Sequence, residues 1–326
     1  MRRRADAEPE LCREQLHHLC QHGCDRHRRH GGAADRRTTQ GEQAPLDQAR
    51  LRVDRVRRAT GSRAILRDSH GAAPGGSGST AVNIDWRLLR EVSRSFYLTL
   101  RLLPARVRPT IALAYLLARL SDTKADGASS DAERELLARE EELRTALKES
   151  EDKEEIATVW ATIQEGQDFD GTRFPPGAPA LSPAELDRYT YLVAGCVGDF
   201  WTRVCAKHLP HFARLPHDEM LEAGVQFGKG LQYVNVLRDR AADSSLGRVY
   251  LPRESFNHAL AIARGHLLGA EKYVKALRIR RLRMACALPL LLGRETLDLI
   301  EKNPDAPRVK VARSRVWLLL ARSVVY

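Results

Sequence analysis

The sequence predicts an all-α chain. Apolar residues recur at three- and four-residue steps from Trp86 onward, no alternating strand run occurs, and no Gly-rich strand-to-helix turn is present. Leu88, Leu89, Val92, Phe96 and Leu100 set the first helical stripe. Ile111, Tyr115, Ala118 and Leu120, with Leu113, Leu116 and Leu117 beside them, set the second, and Pro104 and Pro109 punctuate the two. Residues 131–161 are charged at helical spacing and read as a solvated surface helix pair. Four prolines mark 171–183 as a loop. Further helices are expected over 185–209, 218–239, 256–268, 272–292 and 311–325.

Residues 1–81 differ in composition. They are rich in Arg, His, Gly and Gln, lack aromatics, and close on a Gly/Ser stretch, so they bury too little apolar surface to offset ordering entropy. This segment is expected to be largely disordered, and 82–326 to be the folded domain. Cys20, Cys24, His27 and His30 offer zinc-type ligands, but their spacing fits no common finger and no apolar residues surround them.

Formal net charge is +11, and residues 1–80 carry +6 of it. The remaining +5 is too diffuse for a nucleic-acid footprint, so no nucleic-acid partner is expected. Six cysteines lack the density and spacing of a disulfide scaffold, which points to a reducing cytoplasm, with Cys196, Cys205 and Cys286 in the core. No stretch approaches the ~20 apolar residues of a membrane span. The short run at 316–325, interrupted by Arg322, reads as a buried terminal helix, with a peripheral membrane contact as the alternative.

Two acidic motifs carry the chemistry. Asp122-Thr123-Lys124-Ala125-Asp126 ends a strongly apolar helix, and Asp239-Arg240-Ala241-Ala242-Asp243 repeats the spacing over a hundred residues later, with Gln232, Asn235 and Arg238 on the preceding turns. A separation of four puts both carboxylates of a motif on one face, about 5–6 Å apart at Cβ, where like charges repel unless neutralised. One such pair is an ordinary solvated helix end. Two, each after an apolar helix and each beside an arginine, suit Mg²⁺ bridging to a diphosphate, because the ligands are oxygen only and no His or Cys stands nearby. Lewis acids stabilise the charge of a departing diphosphate, and apolar helix faces would hold prenyl tails away from water.

Four blocks, in order, carry a resemblance: Ser93-Arg94-Ser95-Phe96-Tyr97, the segment from Tyr115 through Asp126, that from Tyr189 through Gly198, and that from Gln232 through Pro252. Over 82–326 the chain resembles the squalene/phytoene synthase family, most like bacterial squalene synthase. The resemblance implies a single-domain isoprenoid-synthase bundle around a central cavity, in which two prenyl diphosphates condense head to head. It implies Asp122, Asp126, Asp239 and Asp243 as Mg²⁺ ligands. Ser93, Arg94, Ser95, Arg119 and Arg238 would contact diphosphate, with Gln232 and Asn235 in support. Tyr189 would assist the first half-reaction, Phe96 would shield the cations, and Arg119 would act alongside them.

Two positions depart from the family pattern. Lys124 and Arg240 stand inside the aspartate motifs, off the ligand spacing, and a side chain reaching inward from either would compete with Mg²⁺. The leading expectation is a farnesyl-diphosphate farnesyltransferase that forms squalene through presqualene diphosphate, with NADPH quenching the last cation. Phytoene synthesis from geranylgeranyl diphosphate, a dehydrosqualene- or hydroxysqualene-forming homologue, and a non-catalytic assembly factor are the alternatives. Chain length, quencher and oligomeric state are not encoded in these motifs.

Overall fold

A computed structural model describes residues 84–93, 96–306 and 308–326, apart from the side chains of Leu98 and Asp126. The expectations for residues 1–81, and those for Arg94 and Ser95, lie outside the described residues.

Twelve α-helices are described: α1 (Trp86–Ser93), α2 (Phe96–Leu102), α3 (Arg108–Asp126), α4 (Asp131–Ala138), α5 (Glu140–Glu149), α6 (Lys153–Arg173), α7 (Pro183–Thr190), α8 (Cys196–His208), α9 (His217–Ser245), α10 (Phe256–Ala276), α11 (Arg280–Lys302) and α12 (Arg313–Val325). A π-helical turn, Tyr191–Gly195, joins α7 to α8, and a 3₁₀ turn, Arg253–Ser255, precedes α10. Among the described residues the only extended pairing is an isolated antiparallel bridge, Ala213 to Leu277. The predicted all-α class is the observed one.

One apolar core runs through the bundle. It includes Leu88, Leu89, Leu113, Leu117, Ile156, Val204, Val234, Leu267 and Leu290, and Cys196, Cys205 and Cys286 lie in it as expected. Burial pushes the Cys196 and Cys286 thiols up to about 12. They are inert at neutral pH.

The central crossing depends on two glycines. A Cβ on Gly198 of α8 would stand 1.9 Å from the Gly224 carbonyl oxygen of α9. Only glycine lets these backbones approach so closely, and that approach fixes the path of α9 toward its aspartates. Tyr273 is fully buried beside the crossing, its hydroxyl 3.1 Å from Thr202 Oγ1.

Several boundaries differ from expectation. The 131–161 segment forms three helices, and the last of them continues to Arg173, through the start of the predicted loop. Its inner face, Ile156, Val159, Trp160 and Gly166, is buried, so α6 is a core helix despite its charged outer face. The helix expected over 272–292 is broken at Leu277 to Ile279, where Arg278 donates its N–H to the Phe212 carbonyl at 2.7 Å. Tertiary pairing there overrides an uninterrupted helical pattern. Helix α12 is only half-buried: Val316, Leu319 and Ser323 face inward, whereas Trp317 and Leu318 are 58% and 55% exposed. No helix among the described residues is long and apolar enough to cross a membrane.

Candidate active site

Helix α6 brings the two aspartate motifs together. The Gln167 side-chain amide donates to Asp122 Oδ1 at the end of α3. One turn later on the same face, Asp170 receives Arg248 Nη1 at 2.9 Å and the Tyr250 hydroxyl, both from the segment that follows α9. Asp170 is also close enough to Asp243 for its charge to raise that carboxyl. Gly247 makes this return possible: its φ of 79° closes α9, and the turn carries Arg248 and Tyr250 back toward α6.

Two of the motif carboxyls are held above their ordinary range. Burial pushes Asp122 up to about 6, against the opposing charge of Arg119 and the hydrogen bond from Gln167. Burial, then Asp239 and Asp170, push Asp243 up to about 7, with Arg248 and Arg238 opposing. Asp239 is paired by the Arg238 guanidinium, and Arg308 Nε lies 3.4 Å away. Burial alone raises Asp122, whereas at Asp243 two like charges add to burial, and a hard, oxygen-seeking cation would relieve both. The donor set therefore fits Mg²⁺. The backbone of Asp126 belongs to α3, whereas its side chain lies outside the described atoms.

Other expected residues fall into two groups. Tyr189 is buried within the network, stacked on Tyr250 at 5.0 Å and tilted against Phe169 at 6.0 Å. Gln232 and Asn235 are buried on α9, Asn235 Nδ2 donating to Gln232 Oε1 at 3.3 Å, on the face that continues to Asp239 and Asp243. Phe96 stacks on Tyr115 at 5.1 Å, and Tyr115 reaches the Val92 carbonyl. Ser93, in contrast, is buried and donates its hydroxyl to the Leu89 carbonyl, a back-bond within α1. Arg119 is 4% exposed and pairs through Nη2 with Glu133, which Ser129 also engages through N–H and Oγ. Its buried Nε and Nη1 have no hydrogen-bond partner. Two orphaned guanidinium donors beside a metal-ligand candidate suit an anion.

The two departures resolve in favour of the site. Lys124 pairs with Glu140 at the surface, and Arg240 donates to the Pro304 carbonyl at 3.1 Å and lies over Phe256. Among the described side chains neither makes an ion pair with Asp122, Asp239 or Asp243. The sequence reasoning missed Gln167, Asp170 and Arg308. The available signal was Gln167 and Asp170 at i,i+3 spacing, but it lay where a surface helix was expected to give way to a loop.

A second acidic cluster, Glu151, Asp152 and His208, also has metal-ligand proximity. Asp152 is fully buried and already receives Lys207 Nζ and His208 Nε2, each at 2.8 Å, and Thr110 Oγ1 at 2.6 Å. An ammonium group occupies the place a cation would take, so this cluster is a tie among α3, α6 and α8.

Compared with known proteins, the chain matches the squalene/phytoene synthase family over residues 89–261 and 255–317. The chain belongs to the squalene/phytoene synthase family. A presqualene diphosphate synthase of Sinorhizobium fredii is 32% identical over 179 residues, covering 51% of this chain and 60% of that protein. A bifunctional lycopene cyclase/phytoene synthase of Neurospora crassa is 27% identical over 231 residues, covering 53% of this chain and 37% of that protein. The chain thus spans less than two thirds of the length of these relatives. Among solved structures, TcSQS with the ligand BPH1237 aligns with a TM-score of 0.63 at 22% identity, covering 73% of this chain and 85% of that one. A dehydrosqualene synthase in complex with ligand aligns with a TM-score of 0.56 at 20% identity, covering 74% and 94%. These alignments establish the isoprenoid-synthase helical fold that the squalene/phytoene synthase motifs imply.

Proposed function

We propose that this chain is a Mg²⁺-dependent prenyltransferase that condenses two farnesyl diphosphates head to head, through presqualene diphosphate, to squalene. The carrying observation is that α6 links Asp122 on one motif to Asp170, whose charge acts on Asp243 of the other, which supports one shared diphosphate site. Mg²⁺, when bound by Asp122, Asp239, Asp243 and Asp126, supplies Lewis-acid stabilisation to the departing diphosphate.

The protein's own groups do the rest. Arg119 Nε and Nη1 are preorganised donors for diphosphate oxygens, held by the Glu133 pair so that no reorganisation is needed on binding. Arg238 and Arg308 add positive charge beside Asp239. The stacked Tyr189 and Tyr250 rings offer electron-rich faces to an allylic cation, and the Tyr189 hydroxyl is the candidate group for the first half-reaction. Arg94, Ser95 and Ser93 would complete diphosphate binding, with Gln232 and Asn235 in support and Phe96 shielding the cations. Hydride from NADPH as a co-substrate would quench the last cation and give squalene. The fungal relatives named for phytoene synthesis favour a second reading, in which geranylgeranyl diphosphate is condensed to phytoene.

Full-length protein incubated with Mg²⁺ and either diphosphate, with and without NADPH, followed by mass analysis, decides between these. Farnesyl diphosphate plus NADPH is expected to yield squalene. Turnover of neither substrate would overturn the enzymatic reading. Asp122→Asn and Asp239→Asn are each expected to abolish product with helical circular dichroism unchanged.

A further inference from the structure

We propose that Glu133 is a positioning residue for Arg119: by holding the guanidinium in an ion pair, it keeps Arg119 off Asp122, leaving Asp122 open to Mg²⁺ and Arg119 open to diphosphate. The role deepens the reading of the site given above and rests on it. Arg119 and Asp122 stand three residues apart on α3, so they share a face one turn apart, a spacing at which an arginine and an aspartate ordinarily pair. The charge of Arg119 does act on Asp122. Among the described side chains, however, the guanidinium is committed through Nη2 to Glu133 and makes no ion pair with Asp122.

Glu133 reaches Arg119 from the first turn of α4. The chain gets there by a short return. Gly127, at φ 84°, ends α3, and Ser130 caps α4 by accepting the Glu133 N–H at 3.2 Å. In sequence Ser130-Asp131-Ala132-Glu133 has the spacing of a capping box, which would give Glu133 only a local task. Its carboxylate does more. Oε1 takes Arg119, and Oε2 accepts from the Ser129 N–H at 2.7 Å and from the Ser129 hydroxyl at 2.6 Å. Two hydrogen bonds from Ser129 fix the carboxylate, and the fixed carboxylate orients the guanidinium.

Burial makes the pairing matter. Glu133 and Arg119 are 6% and 4% exposed, and a buried pair broken on one side leaves an uncompensated charge. Without Glu133, the acid one turn along the same helix face is Asp122. A pair formed there would neutralise the carboxylate that Mg²⁺ needs and draw the guanidinium away from its present orientation, in which buried Nε and Nη1 have no hydrogen-bond partner. Charge alone would act in the opposite sense, since removing an acid makes the site more positive and tightens diphosphate binding. The two effects differ in sign, so a binding measurement separates them.

The test is calorimetric titration of the full chain with Mg²⁺, and then with inorganic pyrophosphate in the presence of Mg²⁺, neither of which depends on turnover. Glu133→Gln keeps a residue that capping boxes accept at this position and removes the charge. It is expected to weaken Mg²⁺ about tenfold and pyrophosphate by a similar factor, within the range typical of groups that orient a metal site. Arg119→Gln combined with Glu133→Gln removes the competitor for Asp122. Mg²⁺ affinity is then expected to return to within about twofold of wild type, while pyrophosphate stays about tenfold weaker; a merely structural role for Glu133 would not produce this recovery. The double variant carries no unbalanced buried charge, so its Mg²⁺ affinity decides the matter even where the single change fails to fold by circular dichroism. Unchanged Mg²⁺ affinity or tighter pyrophosphate in Glu133→Gln, or Mg²⁺ weakened about tenfold in the double variant, would overturn the proposal and leave the diphosphate-site reading in place. A wild-type chain that binds neither Mg²⁺ nor pyrophosphate would overturn both.

Discussion

Asp170 is the residue on which the two halves of the site meet. Its carboxylate accepts from Arg248 and Tyr250, Tyr250 stacks on Tyr189, and its charge reaches Asp243. Asp170→Asn keeps the volume and removes the charge, so the ion pair with Arg248 is lost and one acceptor oxygen remains where Arg248 and Tyr250 had two. Supporting groups of this kind are typically worth about 10–100-fold in metal affinity or activity. The expected outcome is a fall in kcat of that size together with weaker Mg²⁺ binding, whereas a purely structural role would move only Tm.

The raised carboxyls make a second prediction. In the cation-free protein the folded pKa values of Asp122 and Asp243, about 6 and about 7, stand above their ordinary 3.8. These groups therefore favour folding at low pH and oppose it as pH rises through the folded values. Mg²⁺ needs the carboxylates, so its binding displaces protons and tightens as pH climbs from about 6 to about 7. Titration calorimetry in two buffers of different ionisation enthalpy is expected to show proton release that fades above that range.

At the scale of elements, the Gly198–Gly224 crossing sets where α9 delivers its aspartates. Gly198→Ala places a methyl carbon against a backbone carbonyl, which cannot rotate away as a side chain could. A loss of about 3 kcal/mol is expected by denaturant titration, near the upper end for overpacking. The same residues show what sequence could and could not convey. Apolar spacing identified the helices around Leu88, Ile111 and Val234 because one side of each is buried in a shared core. It missed the length of α6 because Gln167 to Arg173 is polar apart from Phe169 and Gly171, and Gln167, Asp170 and Arg173 are satisfied by Asp122, Arg248 and Glu185 from other parts of the chain. The Asp122 and Asp239 motifs stand out in the sequence because their i,i+4 spacing is local. Arg119 was legible as a position, but its Glu133 partner was not, because a pattern reports which face a residue takes and not which group waits opposite. The break at Leu277 was hidden for the same reason, since it arises from pairing with Ala213.

Across the whole molecule, ion pairs between helices tie the second half of the bundle together, and Glu271 is the most connected. Its carboxylate on α10 receives Arg294 Nη2 of α11 at 2.6 Å, Lys275 Nζ at 2.8 Å and the Tyr326 hydroxyl, which follows α12, at 3.1 Å. The Arg294 hydrogen bond first, then that from Lys275, hold its carboxyl down at about 2, below an ordinary 4.5. A depressed acid contributes stability that is complete above the unfolded value and lost as pH falls through the folded one. The window is thus from about 4.5 down to about 2. Because the pair is partly solvated, its worth is about 1 kcal/mol, well below what an unscreened shift would imply. Glu271→Gln is expected to lower Tm at neutral pH and to flatten the acid limb of the stability curve between those limits. Glu271→Ala also removes the acceptor for the Tyr326 hydroxyl and should loosen α12, so amide exchange at Val316 and Leu319 is expected to rise in that second variant while exchange at Leu113 and Leu117 in α3 stays unchanged. Equal acceleration in both helices would mean that Glu271 supports the fold globally and that the C-terminal helix has no separate tie.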